Sequence, residues 1–319
     1  MNKKIVHTCP ERMPQFSRRQ GLCTIAAGVA LSFVPKSLSA GVPDDRRIVA
    51  AVFDGASLLF AGQNLSRSDD DGMTWTTLPA QNAGSILSLA THPARPGRIL
   101  AGLASGGTSL SNDGGHRWET RASGLPVGAV LAISVASDQP DTVYAAVKGD
   151  GLWKSEDAGL TWVLVMDRPW LEDAERDPLA LASVDLATGM GGIWIYAGTE
   201  TGLTRVPDCF CRWQGVKPGN AMNALVSGDA PPPEFPLPPG AAILALVSAP
   251  SAPETLYAAL QSGLWTSQDA GVVWSRLVEE AASAVAVHPT SANHIAAAFD
   301  SGLKQSRDGG VDWTAISIT

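Results

Sequence analysis

The stretch "SEDAGLTW", residues 155 to 162, places a serine, two acids, a glycine and a tryptophan within eight positions. Those are the residue types of a small catalytic constellation and equally of a tight turn. The rest of the chain decides between them, because the stretch recurs. "SDDDGMTW" occupies 68–75, "SNDGGHRW" 111–118, "SQDAGVVW" 267–274 and "SRDGGVDW" 306–313. A worn copy, "VPDCFCRW" at 206–213, keeps only Asp208 and Trp213 of the four fixed positions. A motif returning at intervals of this size signals a repeat architecture, which has to be settled before any other feature is read.

The text around the copies repeats as well. "LATHPARPGRILAGL", "SVASDQPDTVYAAV", "VSAPSAPETLYAAL" and "VAVHPTSANHIAAAF" each give an apolar run, a polar or proline turn and a second apolar run. The closing tryptophans stand at 75, 118, 162, 213, 274 and 313, so the steps are 43, 44, 51, 61 and 39 residues. One repeat has room for four short strands. In the third these are "VLAISVA", "TVYAAV", "LWKSE" and "TWVLVM", with strand length and β-branched or aromatic content. Six four-stranded units predict an all-β chain closed radially into a β-propeller, which leaves little exposed strand edge. A seventh blade would have to occupy the 61-residue step, whose extra length is "SGDAPPPEFPLPPG", and proline does not enter a central strand. The first repeat begins with its own inner strand, "RIVAAVF", and the last ends with its outer one, "WTAISIT", so no strand exchange across the closure is expected.

The pattern S-x-D-x-G-x-x-W resembles the Asp-box, or BNR, repeat, and with five intact copies the resemblance covers the chain from about Ile48 to the end. It implies a six-bladed β-propeller of four-stranded antiparallel blades, with each box forming the hairpin between third and fourth strands. The residue types suit that task. Serine and aspartate accept hydrogen bonds from turn amides, glycine allows positive φ, and the indole covers the hairpin base. Catalysis requires convergence, whereas boxes around a ring point in different directions. Structural roles are therefore assigned to Ser68, Asp70, Gly72 and Trp75; to Ser111, Asp113, Gly115 and Trp118; to Ser155, Asp157, Gly159 and Trp162; to Ser267, Asp269, Gly271 and Trp274; and to Ser306, Asp308, Gly310 and Trp313.

The first forty residues read as an export signal, leaving 41–319 as one propeller domain. "SRRQGLCTIAAGVALSFVPKSLSA" has paired Arg18 and Arg19, a mildly apolar run from Leu22 to Val34, then Lys36 and a small-residue end at Ala40. That order resembles a twin-arginine signal, although Gly21 and Cys23 depart from its usual wording. A periplasmic or secreted protein is expected, and no other run is long enough to span a bilayer. Residues 1–40 carry six basic residues and one acid, so their removal takes the formal charge from −8 to −13. Such a surface repels nucleic acid and anionic lipid. Cys9 and Cys23 leave with the signal. The remaining pair, Cys209 and Cys211, sits inside the worn box as a disulfide or two soft metal ligands without a companion motif. No cofactor is expected.

In propellers, ligands usually meet the face opposite the boxes. Two interblade links are enlarged, "MDRPWLEDAERDP" at 166–178 and "SGDAPPPEFPLPPG" at 227–240, and both are expected on that face. Trp170, Glu172, Asp173, Glu175 and Phe235 are the candidate partner-binding residues, with Trp170 and Phe235 as apolar anchors. An enzyme reading comes from two families that share the box. Sialidases pair a tyrosine nucleophile with a glutamate and grip substrate with three arginines; here Tyr144, Tyr196 and Tyr257 all lie in repeated strands, which argues against that chemistry. The propeller xyloglucanases, which the "YAG" and box wording also resembles, use two carboxylates, and Asp150, Glu200 and Asp300 are the loop acids available for it. The balance favours a non-enzymatic, monomeric scaffold that binds a protein partner, in the style of the photosystem II assembly factor branch and of sortilin-like repeats. That branch binds through a basic patch, and the acidic balance of this chain argues against the same partner.

Overall fold

The computed structural model describes residues 47–79, 84–186, 192–217, 228 and 233–317. The leader, 1–40, and residues 227 and 229–232 of the 227–240 link lie outside these residues. The first blade runs β1 (Ala50–Asp54), β2 (Ser57–Ala61), β3 (Leu65–Ser68) and β4 (Thr76–Leu78), and the second β5 (Ile86–Thr91), β6 (Ile99–Leu103), β7 (Thr108–Ser111) and β8 (Glu119–Arg121). The third has β9 (Val130–Val135), β10 (Val143–Val147), β11 (Gly151–Ser155) and β12 (Val163–Asp167). A two-stranded hairpin, β13 (Trp170–Leu171) with β14 (Ala174–Glu175), precedes the fourth. That blade has β15 (Ala180–Asp185), β16 (Ile193–Gly198), β17 (Leu203–Pro207) and a two-residue β18 (Gln214–Gly215). The fifth has β19 (Ile243–Ala249), β20 (Ala252–Leu260), β21 (Gly263–Ser267) and β22 (Ser275–Val278), and the sixth β23 (Ala282–His288), β24 (Ser291–Phe299), β25 (Gly302–Ser306) and β26 (Thr314–Ile316). Every blade pairs its four strands in chain order, antiparallel throughout. The first strands are innermost, each beside the next, and β23 returns to β1. The molecule is a six-bladed β-propeller.

Burial follows position in the blade. All five residues of β6, "ILAGL", and of β10, "VYAAV", are buried, because a second strand is covered by a neighbouring blade on both faces. Outer strands such as β12 leave Val163 and Leu164 exposed. The apolar side chains gather into six clusters, and each spans one interface between adjacent blades. Leu59, Leu65 and Leu78 of the first blade meet Ile99, Leu103 and Trp118 of the second, for example.

Ring closure needs no shared strand, as the sequence implies. Phe53, Leu58 and Phe60 pack on Ala284, Ala296, Leu303 and Ile316, a cluster like the other five. Polar contacts reinforce it. Ser283 Oγ donates to the Ile48 carbonyl at 2.7 Å, Gln305 Nε2 donates to the Asp71 carbonyl at 3.1 Å, and Arg307 pairs with the Asp71 carboxylate at 2.7 Å.

One regularity of the inner strands is invisible in the sequence. In β5, Ile86 pairs with Leu103 and Ser88 with Gly102, which leaves Leu87 as an extra residue. The same bulge recurs at Leu131 in β9, Leu244 in β19 and Ser283 in β23. A bulge re-aims the extra side chain. Here it turns four of them toward the axis at one end of the ring.

Candidate functional site

The ring has two ends of different construction. Inner strands start at the end that carries the second-to-third strand loops and the interblade links, here the link end. They finish at the box end, where the first-to-second strand turns and the S-x-D-x-G-x-x-W hairpins lie.

The five intact hairpins share one hydrogen-bond scheme. At the opening stretch, Ser155 Oγ donates to Asp157 Oδ1 at 2.7 Å and accepts the Gly159 amide at 2.8 Å. Asp157 also accepts the Thr161 amide at 2.8 Å and its hydroxyl at 2.6 Å. Trp162 Nε1 closes the turn on the Gly159 carbonyl at 2.9 Å. Two consecutive residues take positive φ, Ala158 at 55° and Gly159 at 86°, so a residue without Cβ is favoured at the second. Serine-to-aspartate, glycine-to-serine and tryptophan-to-glycine bonds repeat at 68–75, 111–118, 267–274 and 306–313. Burial raises the Asp157 pKa, but the hydrogen bonds from Thr161, Ser155 and the Leu160 amide outweigh it and hold the carboxyl below its ordinary range. A carboxylate saturated by its own turn is a poor proton-transfer group.

At the box end the axis opens into a cavity of about 440 Å³, within the range of small-molecule sites. His92 and Ser137 line it, with Ser134, Ser183, Ser248 and the single carboxylate Asp185. Asp185 has no ion pair or side-chain hydrogen bond among the described residues, whereas His92 and the serines around it are engaged in structure. His92 Nδ1 accepts the Ala94 amide at 3.1 Å, and Nε2 faces the Ser137 carbonyl at 3.1 Å, an acceptor only, so Nε2 carries the proton. Neither nitrogen is left to activate a serine. Ser183 Oγ accepts the Ser137 amide and Ser134 Oγ accepts the Ser183 amide, which stitches the third blade to the fourth.

The loop acids lie at the other end. Asp150, Glu200 and Asp300 sit on the second-to-third strand loops of the third, fourth and sixth blades. Asp150 accepts Trp153 Nε1 at 2.8 Å, whereas Glu200 and Asp300 have no side-chain partner among the described residues. Their loops adjoin the starts of inner strands. Lys148 donates its amide to the Ala129 carbonyl, Ile243 to Thr199, and Asp300 to Ala281.

Trp170, Glu172, Asp173 and Glu175 share the β13–β14 hairpin, which the sequence does not announce as paired strands. Glu172 and Asp173 take φ of 50° and 59°, the two left-handed residues of a tight hairpin turn. Arg168 pairs with Glu175 and with Asp177, and Asp177 accepts the Gly149 amide at 2.9 Å, so the hairpin is fastened beside Asp150. Trp170 is 65% exposed. Phe235, also exposed, does not join Trp170 at the link end as the sequence predicts, but is held at the box end: its amide donates to the Val272 carbonyl and its carbonyl accepts the Trp274 amide, in the fifth-blade hairpin. Ser123 makes the same parallel bridge to the third-blade hairpin, so Phe235 ends its enlarged link as an ordinary link does.

The worn copy is rewired. Cys209 and Cys211 form a disulfide, and Phe210 between them takes φ of 51° where intact copies have glycine. Asp208 no longer binds its own turn, but accepts the Tyr144 hydroxyl at 2.9 Å, and Trp213 Nε1 reaches the Asp167 carbonyl at 2.7 Å, both in the third blade. Tyr196 and Tyr257 likewise reach into the following blade, to the carbonyls of Ala270 and Ala292. All three phenols are thus interblade ties. Among the described residues no group of three or more histidine, cysteine, aspartate or glutamate side chains is placed to hold a metal ion.

No family model and no curated protein matches the chain. Solved structures do. A GH74 enzyme from Niastella koreensis superposes with a TM-score of 0.55 at 16% identity, covering 84% of this chain and 44% of that one. The chain thus spans less than half the length of that enzyme. A structure described as COPII on membranes, outer coat vertex, gives a TM-score of 0.57 at 8% identity, covering 86% of this chain and 71% of that one. YCF48 bound to D1 peptide gives 0.49 at 15% identity, covering 85% and 82%. At such identities the likeness to the first two, with TM-scores above 0.5, speaks for architecture alone, and that architecture is the β-propeller.

Proposed function

We propose that this chain is an exported, non-enzymatic propeller that binds a protein partner and assists the assembly or stability of an exported or membrane complex. The observation that carries the reading is Trp170, a large apolar ring left 65% exposed on a hairpin that ion pairs and the Asp177–Gly149 bond hold in place. Exposed aromatic residues on an ordered support are the anchors of protein interfaces. The leader with paired Arg18 and Arg19 supports export, and the Cys209–Cys211 disulfide suits an oxidising compartment. A two-carboxylate glycosidase is the second reading, favoured only by unpartnered Glu200 and Asp300.

Affinity purification of the mature protein from its own exported fraction tests the proposal. A stoichiometric protein that Trp170→Ser releases supports it. Turnover on a panel of β-glycans, lost in Glu200→Gln and Asp150→Asn variants, together with no stoichiometric partner, would sink it.

A further inference from the structure

At the link end the axis is closed by an aliphatic ring. Leu87, Leu131 and Leu244 are the bulged residues of three inner strands, and Val49 and Leu179 reach the same place from just before two others. Together with Arg47, Ile48 and Ser283 they line a shallow recess of about 240 Å³, and each of the five is at least partly exposed. Folding alone does not require this. A bulge repeated in four blades at one level, in three of them turning a leucine out of the interblade clusters and toward the axis and in the fourth Ser283, is a built feature. The recess falls below the roughly 300–1,000 Å³ of ordinary small-molecule sites. It suits one side chain.

Charge supplies the rest. The loops that adjoin this ring carry Asp150, Glu200 and Asp300, and the β13–β14 hairpin fastened to Gly149 adds Asp173. Among the described residues Asp173, Glu200 and Asp300 have no ion pair, and Asp150 has only the Trp153 indole. Against them at this end, among the described residues, stand two cations without an ion pair, Lys148 on its loop and Arg47 in the lining of the recess itself. The mouth is therefore aliphatic at its centre but for one guanidinium, and the loops around it are acidic.

We propose that this axial mouth is a docking site for a basic segment of a partner protein, which inserts one leucine-sized side chain into the ring while flanking lysines or arginines meet the acidic collar. The proposal rests on the protein-binding reading above and deepens it by giving the partner's chemistry. It also reassigns Glu200, Asp300 and Asp150 from candidate catalysts to recognition residues.

The test uses the mature protein and fluorescein-labelled peptides Lys-Lys-Leu-Lys-Lys, its alanine-centred form, and Glu-Glu-Leu-Glu-Glu, read by anisotropy. The leucine peptide should bind roughly tenfold or more tightly than the alanine form, as burial of the removed methyl and methine groups implies, and weaken as salt is raised. The acidic peptide should not bind. Glu200→Gln with Asp300→Asn, both at exposed loop positions, should weaken the leucine peptide severalfold, and Leu131→Ser should abolish the preference for leucine over alanine. Equal binding of the leucine and alanine peptides, or indifference to the loop substitutions, overturns the proposal. So does a dimer in sedimentation that Leu131→Ser dissociates, since the occupant would then be a second copy. Should the peptides fail while Trp170→Ser still releases a purified partner, the axial mouth is refuted and the broader reading stands; if no partner is found yet the leucine preference holds, the axial mouth stands and Trp170 is refuted as the anchor.

Discussion

Asp157→Ala separates a turn acceptor from a catalyst. The substitution removes the acceptor of three hydrogen bonds, from Ser155 Oγ, the Thr161 amide and the Thr161 hydroxyl. Thr161 is exposed, so water replaces most of what its two groups lose. Ser155 is 2% exposed, and its hydroxyl proton is left without a partner while its oxygen still accepts the Gly159 amide. An orphaned buried donor costs about 1–3 kcal/mol and each exposed bond a few tenths to one, so a total of about 2–3 kcal/mol is expected. For a domain of this size that lowers Tm by roughly 3–5 °C. Asp157→Asn, which keeps an amide oxygen for Thr161, should lose less than half as much. Sign also matters. Because the carboxyl is held below its ordinary range, its contribution is present above the unfolded value of about 3.9 and is lost as pH falls through the folded one. The gap between wild type and Asp157→Ala should narrow in acid. Thermal and urea denaturation across pH measure it. An unchanged Tm in Asp157→Ala, with loss of any activity the protein has, would refute the turn reading.

In the worn hairpin, Asp208→Ala strands the fully buried Tyr144 hydroxyl and should cost more stability than Tyr144→Phe, which removes the donor as well; urea midpoints compare them. At the closure seam His288 and His294 stack at 5.0 Å against Phe53, beside Asp71 and Arg307, and burial pushes both pKa values down. The unfolded chain then binds more protons, so stability is complete above about pH 6.5 and falls as pH drops toward the folded values, by about 1.4 kcal/mol per unit of lowering. His294→Asn should flatten that slope in a Tm-against-pH series. Reducing Cys209–Cys211 opens a loop around a single residue, so chain entropy predicts a loss of only about 1–2 kcal/mol, measurable as a small Tm difference with and without reductant. Trp170→Ser should leave stability within about 0.5 kcal/mol in the same assay while abolishing partner capture.

Blade number, strand order and hairpin position were legible because each rests on a local periodic signal: the fixed serine, aspartate, glycine and tryptophan, and apolar runs of strand length. The third repeat's four strands fall where "VLAISVA" to "TWVLVM" puts them. What sequence did not carry is register. Leu87 is one apolar residue in "SILSLATHP", and nothing in that run marks it rather than Leu89 as the extra residue; the bulge is fixed by pairing with Leu103 and Gly102 on β6. The tyrosine ties were hidden for the same reason. "VYAAV" marks Tyr144 as a strand residue, but its partner Asp208 lies 64 positions on, in another blade. The β13–β14 hairpin was missed because its turn uses Glu172 and Asp173, where a glycine would have announced left-handed φ.

These two kinds of legibility divide the molecule chemically as well. The box end is where the sequence repeats, and repetition there is self-satisfaction: serines, aspartates and the indoles bond within their own turns, and around the cavity His92 and the serines are engaged between blades. Groups committed in this way have little left for a ligand. The link end is where the repeats diverge, in length from the short "EEA" before the sixth blade to the long links around the fourth. Among the described residues Asp173, Glu200 and Asp300 stand there without ion pairs, as Asp138, Asp185, Glu254 and Asp312 do at the box end, but it is at the link end that such carboxylates accompany an exposed Trp170 and bulges that turn leucines to the axis. A carboxylate that no turn or ion pair uses does nothing for the fold and, in a chain already net acidic, adds repulsion. The worn fourth hairpin belongs to the same pattern. It gave up the self-contained turn and tied itself instead to Tyr144 and Asp167 of the third blade, which bears the hairpin of Trp170. The loss of one repeat's local order thereby strengthened the support beneath the proposed interface.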